Sequence, residues 1–147
     1  MGQVILAAAP VQLSSVLGSC VGVALYHRRL KLGALAHVVL PDSVGRPCVP
    51  GKFADTAIPY MVQQLEAKGA PRGQLVAKIA GGACMFGAGG PLQIGDNNIE
   101  AVTKALGAVG IRIQAHDVGG TKGRRVALDC ATGHLLVQIV GETPRTL

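Results

Sequence analysis

The sequence predicts a mixed α/β fold: one layered domain with a largely antiparallel mixed β-sheet and two main helices. Three observations lead there. Seven short apolar runs are bounded by Gly, Pro, Asn or charged turns, as strands are. Two other segments repeat apolar residues at helical spacing. The 147 residues, 49% hydrophobic and 15% charged, contain no repeat, linker or compositional break, so a single domain over 1–147 is expected.

The elements follow in order. Residues 4–8 are a short apolar strand. Residues 20–26 (CVGVALY) and 33–40 (GALAHVVL) flank the polar knot HRRLK and read as a β-hairpin turning at Arg28 and Arg29. Residues 41–51, rich in Pro and Gly, form a loop. Ile58, Met61, Val62 and Leu65 lie on one helical face, with Asp55 as N-cap, Pro59 in the first turn and Gly69 as the stop. Residues 75–80 form a strand that runs into GGACMFGAGG. A second helix is expected to start at Asn97 or Asn98, with Asn97 and Glu100 as a capping-box pair. Its buried face is Ile99, Val102, Leu106 and Val109, and Gly110 ends it. Strands at 111–118, 125–129 and 135–140 complete the chain, the last two joined by a turn at Thr132 and Gly133.

Charge narrows the function classes. Lys+Arg 14 against Asp+Glu 8 gives +6, which favours acidic partners. Aromatic residues are only 3%, and no nucleic-acid motif is present, so base stacking is not expected and no nucleic acid is predicted as partner. No charged residue precedes His27, and polar residues interrupt the apolar ones. That is neither the charge order of a signal peptide nor a bilayer span, so no membrane insertion and a cytoplasmic location are expected. Cys20, Cys48, Cys84 and Cys130 show no C-x-x-C spacing and are expected to be free thiols, the last three packing or incidental. No metal spacing occurs among Cys and His. GGACMFGAGG and VGGTKGRR do not fit a phosphate loop. Neither a metal nor an organic cofactor is expected. Lys122, Arg124 and Arg125 read as a solvated basic turn, with docking onto acidic helices as the functional reading.

The sharpest motif is LGSCVG. Glycines on both sides of Cys20 leave its sulfur uncrowded and free nearby N–H groups for an oxyanion, with Gly18, Ser19 and Gly22 as the oxyanion and substrate pocket. The plain alternative is a buried structural cysteine. The hairpin weighs against that alternative. If it turns at Arg28 and Arg29, Cys20 and His37 stand opposite each other, on a face where Gly22, Ala24 and Gly33 leave room for substrate. Val21, Val23, Leu25, Ala34, Ala36 and Val38 form the other, core-facing side. A cysteine beside a histidine can ionise to a thiolate–imidazolium pair.

Read in order, LGSCVGVALY, GALAHVVLPDS, PGKFADTAIPYMVQQLEAKGA, AKIAGGACMF, IGDNNIEAV, DVGGTKGR and ATGHLLV resemble the motifs of CheD, the chemoreceptor glutamine deamidase family. The resemblance implies a CheD-like domain hydrolysing glutamine side-chain amides on methyl-accepting chemotaxis receptors. It implies Cys20 as nucleophile, His37 as base, a thioester intermediate and no cofactor. The family's third catalytic residue, a Thr six positions before the cysteine, corresponds to Ser14. The resemblance also extends to hydrolysis of receptor-glutamate methyl esters. The alternative role it carries is a non-catalytic binding protein for a CheC-type phosphatase.

Overall fold

The computed structural model describes residues 2–85 and 93–147. Two sheets and two helices make three layers. The first sheet has the order β1(Val4–Ala8), β4(Leu32–Val38), β3(Val21–His27), β5(Leu75–Gly81), β6(Ile113–Val118). The second runs β2(Gln12–Leu17), β7(Arg124–Asp129), β8(Leu135–Gln138), β9(Arg145–Thr146). β5 and β6 pair in parallel, and the other described ladders are antiparallel. α1(Ala54–Ala67) and α2(Ile94–Ala108) cover one face of the first sheet. The second sheet covers the other face.

β3 is buried along its whole length because a layer lies on each side of it. Its Val21, Val23 and Leu25 join Ala34, Ala36 and Val38 of β4 in the helix-side core, as expected, with Ile58, Met61, Leu65, Val102 and Leu106 from the helices. Its other face meets Leu13, Leu17, Val126, Leu128 and Leu135. The glycines on that face therefore admit the second sheet and not a substrate. A Cβ on Gly22 would stand 2.8 Å from Leu17 Cδ1, and one on Gly33 would stand 2.9 Å from Leu128 Cδ2.

Several local expectations are corrected. Asp55 is not the N-cap of α1: Phe53 holds that position, and the Asp55 carboxylate instead accepts the Ser43 N–H at 3.0 Å and the Ser43 hydroxyl at 2.7 Å. Pro59 lies in the second turn, inside the helix. α2 begins at Ile94, before Asn97, without a side-chain cap. Gly95 explains the early start. It packs so closely on the Gly82 and Ala83 carbonyls that any Cβ would collide with them. Gly69 and Gly110 end the two helices with positive φ, as expected. β2 and β9 were not anticipated. Phe86 and 87–90 of the glycine-rich segment lie outside the described residues.

Candidate active site

The chain leaves β2 at Leu17, bends through Gly18, Ser19 and Cys20, and enters β3 at Val21. All three carbonyls of the bend are held. Gly18 O accepts the Ala83 N–H at 3.0 Å, and Cys20 O accepts the Gly82 N–H at 2.8 Å. Ser19 O accepts from Asn98 Nδ2 at 3.1 Å. Among the described residues, the amide N–H groups of Gly18, Ser19 and Cys20 make no backbone hydrogen bond. The bend thus fixes its acceptors and leaves its donors uncommitted. The end of β5 makes room for this. Gly81 and Gly82 have φ of 102° and 68°, and a Cβ on Gly81 would run into the Cys20 carbonyl.

His37 sits near the end of β4 and is half-buried. The β3–β4 register pairs Gly22 with His37 and Val21 with Val38. That is two residues from the expected alignment. The turn is longer than Arg28–Arg29: residues 28–31 form it, Lys31 takes φ 50°, and the His27 ring accepts the Leu30 N–H at 3.1 Å. A shift of two keeps side-chain parity. Cys20 is therefore one step along the same face, diagonal to His37 and not opposite it. Cys20 itself lies one residue past the last ladder pair, Val21–Val38, so it continues the face of His37 without being held to it by the ladder. The Cys20 side chain packs on the core shared with the second sheet, and His37 also faces that sheet, where Ser15 meets it.

The hydroxyl beside His37 belongs to Ser15. Ser15 Oγ lies 2.9 Å from His37 Nδ1. Ser14, the position taken from the family pattern, is exposed on the outer face of β2 and is not brought to the ring. Alternation explains this: Leu13 and Leu17 are buried, so Ser15 points inward with them and Ser14 points out. Gly22 is likewise displaced from its expected role. It pairs with His37 on one side and Ala80 on the other, so its backbone belongs to the ladders. Gly18 and Ser19 remain beside Cys20.

The electrostatics favour an uncharged resting pair. Burial pushes the Cys20 thiol above its ordinary value. Burial also pulls the His37 imidazole below its ordinary value. If His37 Nδ1–H donates to Ser15, the Nε2 lone pair is left to take the thiol proton. The site's rim carries Met85, 48% exposed, whose Cγ and Sδ lie 3.8 Å from the place a Gly18 Cβ would take.

The four cysteines are free thiols, and Cys130 is buried. Among the described residues, no three His, Cys, Asp or Glu side chains gather as metal ligands. No described helix is long and apolar enough to cross a membrane. Asn98, which the sequence placed only as a helix start, and Ser15 are the two side chains that the structure bonds to the Cys20 bend and the His37 ring and that sequence reasoning did not single out. For Ser15 the alternation Leu13, Ser15, Leu17 was a usable signal.

Comparison with known proteins identifies the family. The family model described as CheD chemotactic sensory transduction matches residues 39–139. The chain is 50% identical over 125 residues to the chemoreceptor glutamine deamidase CheD of Thermotoga maritima, covering 85% of this chain and 79% of that one. It is 50% identical over 130 residues to a probable chemoreceptor glutamine deamidase CheD of Clostridium botulinum, covering 85% and 80%. A protein of the same description from Methanococcus vannielii is 42% identical over 140 residues, covering 94% and 91%. The family match starts after His37, but coverage of 94% leaves out too few residues to miss Cys20 or His37.

Proposed function

The chain belongs to the CheD family, and on that premise we propose that it is a protein-glutamine deamidase that converts glutamine side chains on chemoreceptors to glutamate, with Cys20 as nucleophile and His37 as base. The observation that carries the reading is the bend at Cys20. Its carbonyls are tied to Ala83, Asn98 and Gly82, its N–H groups are uncommitted among the described residues, and a histidine held by Ser15 shares its face.

The reaction runs in two halves. His37 Nε2 takes the Cys20 proton as Sγ bonds to the carboxamide carbon. The carbonyl electron pair moves onto oxygen, which the N–H groups of residues 18–20 receive. The oxyanion collapses, the C–N bond breaks, and imidazolium gives its proton to the departing ammonia. Water then attacks the thioester while neutral His37 takes one of its protons. The C–S bond breaks, the sulfur regains a proton from imidazolium, and glutamate remains. Amide and water become acid and ammonia, with no further reactant. Burial raises the Cys20 thiol and lowers the His37 imidazole, which favours proton removal by His37 during attack over a thiolate stored beforehand. Ser15, not Ser14, is the hydroxyl this reading assigns to the ring.

The test is a glutamine-bearing chemoreceptor cytoplasmic fragment incubated with the protein. A gain of about one dalton per site is expected with the wild type and none with folded Cys20→Ala. Modification persisting in Cys20→Ala removes Cys20 as nucleophile. No modification by the wild type, with retained capture of a CheC-type phosphatase, selects the binding-protein alternative.

A further inference from the structure

We infer that Asn98 is a positioning residue for the Cys20 centre: it fixes the peptide whose N–H receives the oxyanion and locks the Cys20 segment to the His37 strand. The inference rests on the deamidase reading above and deepens it.

Asn98 lies in the first half of α2 and is fully buried. Its Nδ2 donates to two carbonyls, Ser19 O at 3.1 Å and Val39 O at 2.9 Å. These two residues lie just past the end of a ladder. The β3–β4 pairing stops at Val21 and Val38, and the same register would next bring Cys20 against Val39. The strands separate there, and the Asn98 amide spans the opening. One side chain therefore joins the segment carrying the nucleophile to the strand carrying the base.

The direction of the Ser19 contact matters as much as its presence. The Ser19–Cys20 peptide is planar and trans, so its C=O and N–H point in opposite senses. Holding the Ser19 carbonyl toward α2 aims the Cys20 N–H away from the helix. A hydrogen bond on the carbonyl also polarises the peptide, which makes that N–H the stronger donor. The residue type follows from the same geometry. The amide nitrogen has two hydrogens for two acceptors, whereas an ionised carboxylate has no donor and a hydroxyl has one. Asn98 Oδ1 is buried without a partner among the described residues, so the amide is kept although half of it is unsatisfied.

Asn98→Asp and Asn98→Ala test this, with kcat and KM measured separately on the glutamine-bearing receptor fragment and corrected for the folded fraction. The expected result is a loss of roughly tenfold or more in kcat with KM nearly unchanged, as for removal of support from an oxyanion donor. The introduced carboxyl donates only while protonated, so the ratio of Asn98→Asp to wild type falls as pH rises. The ratio for Asn98→Ala stays flat. Asn98→Asp is nearly isosteric and carries the test if Asn98→Ala fails to fold. Wild-type kcat in either folded variant, or a loss that follows the folded fraction alone, overturns the assignment while leaving the deamidase reading intact. A wild type that releases no ammonia overturns both.

Discussion

At Cys20 and His37, burial acts on a thiol and an imidazole in opposite directions with one consequence: both neutral forms are favoured. The pH dependence follows from the signs. Alkylation of Cys20 by iodoacetamide, followed by peptide mass mapping, is expected to rise with pH and to reach half its maximum above the ordinary thiol value. A stored thiolate–imidazolium pair would instead hold the rate on a plateau through neutral pH, and that plateau would refute the neutral pair. In the proposed mechanism deamidation needs neutral His37, so its acid limb is expected below the ordinary imidazole value of 6.5. The two adjacent serines make a sharper comparison. Ser15 touches the ring and Ser14 does not. Ser15→Ala should lower kcat by roughly tenfold, part of the ~10²–10⁴ that acid–base catalysis contributes. Ser14→Ala should stay within about twofold, as surface changes away from partners do. The reverse order in a steady-state assay would return the hydroxyl role to Ser14.

The elements explain why sequence pattern reached some of this site and not all of it. β1, β3, β4, β5 and α1 are contiguous apolar runs or helical stripes, and their patterns are local, so they were legible. β2 was not. It carries two serines and an exposed Val16, and it pairs with β7 more than a hundred residues later. Missing that strand hid the inward direction of Ser15 and the layer that fills the space over Gly22 and Gly33. The face shared by Cys20 and His37 was legible because parity survives a two-residue slip. The slip itself came from the turn, where the His27 ring and the left-handed Lys31 support a four-residue loop that composition does not distinguish from a tighter one. Asn98 was invisible for a different reason. Its partners are backbone carbonyls of distant strands, and carbonyls have no signature in a sequence.

On the scale of the molecule, two sheets meet through an apolar cluster flanked by polar links, and one of these links is Ser15 to His37. The others lie along the same seam. Tyr26 OH donates to Cys130 O at 2.8 Å. Lys78 Nζ donates to Gly133 O and Leu147 O, each at 2.8 Å. Arg124 does not belong to the solvated basic turn that the sequence suggests: it opens β7 and meets Asp117 of β6 at 2.6 Å, with both side chains nearly fully buried. Arg124 does more than neutralise a carboxylate. It also donates to the carbonyls of Asp117, Gly119 and Lys122. It thereby shapes the loop in which Gly120 O accepts the Cys84 N–H and Gly123 packs on the Leu17 carbonyl. Geometry at the far edge of the seam thus supports the bend that leads to Cys20. Removing Arg124 strands a buried carboxylate and several carbonyls together. Arg145, which reaches the other Asp117 oxygen at 3.0 Å, is 59% exposed and offsets only part of that loss. Arg124→Ala should therefore destabilise the fold by about 3–5 kcal/mol, the usual range for breaking a buried pair from one side. Arg124→Lys should recover little of it, because a point charge cannot serve carbonyls in several directions as the guanidinium fork does. Asp117→Asn should cost less than Arg124→Ala, since the arginine keeps its carbonyl partners. Urea denaturation of the three variants reads the order directly. Equal losses from Asp117→Asn and Arg124→Ala would mean that charge pairing, and not the organisation of the loop carbonyls, is what Arg124 contributes across the seam.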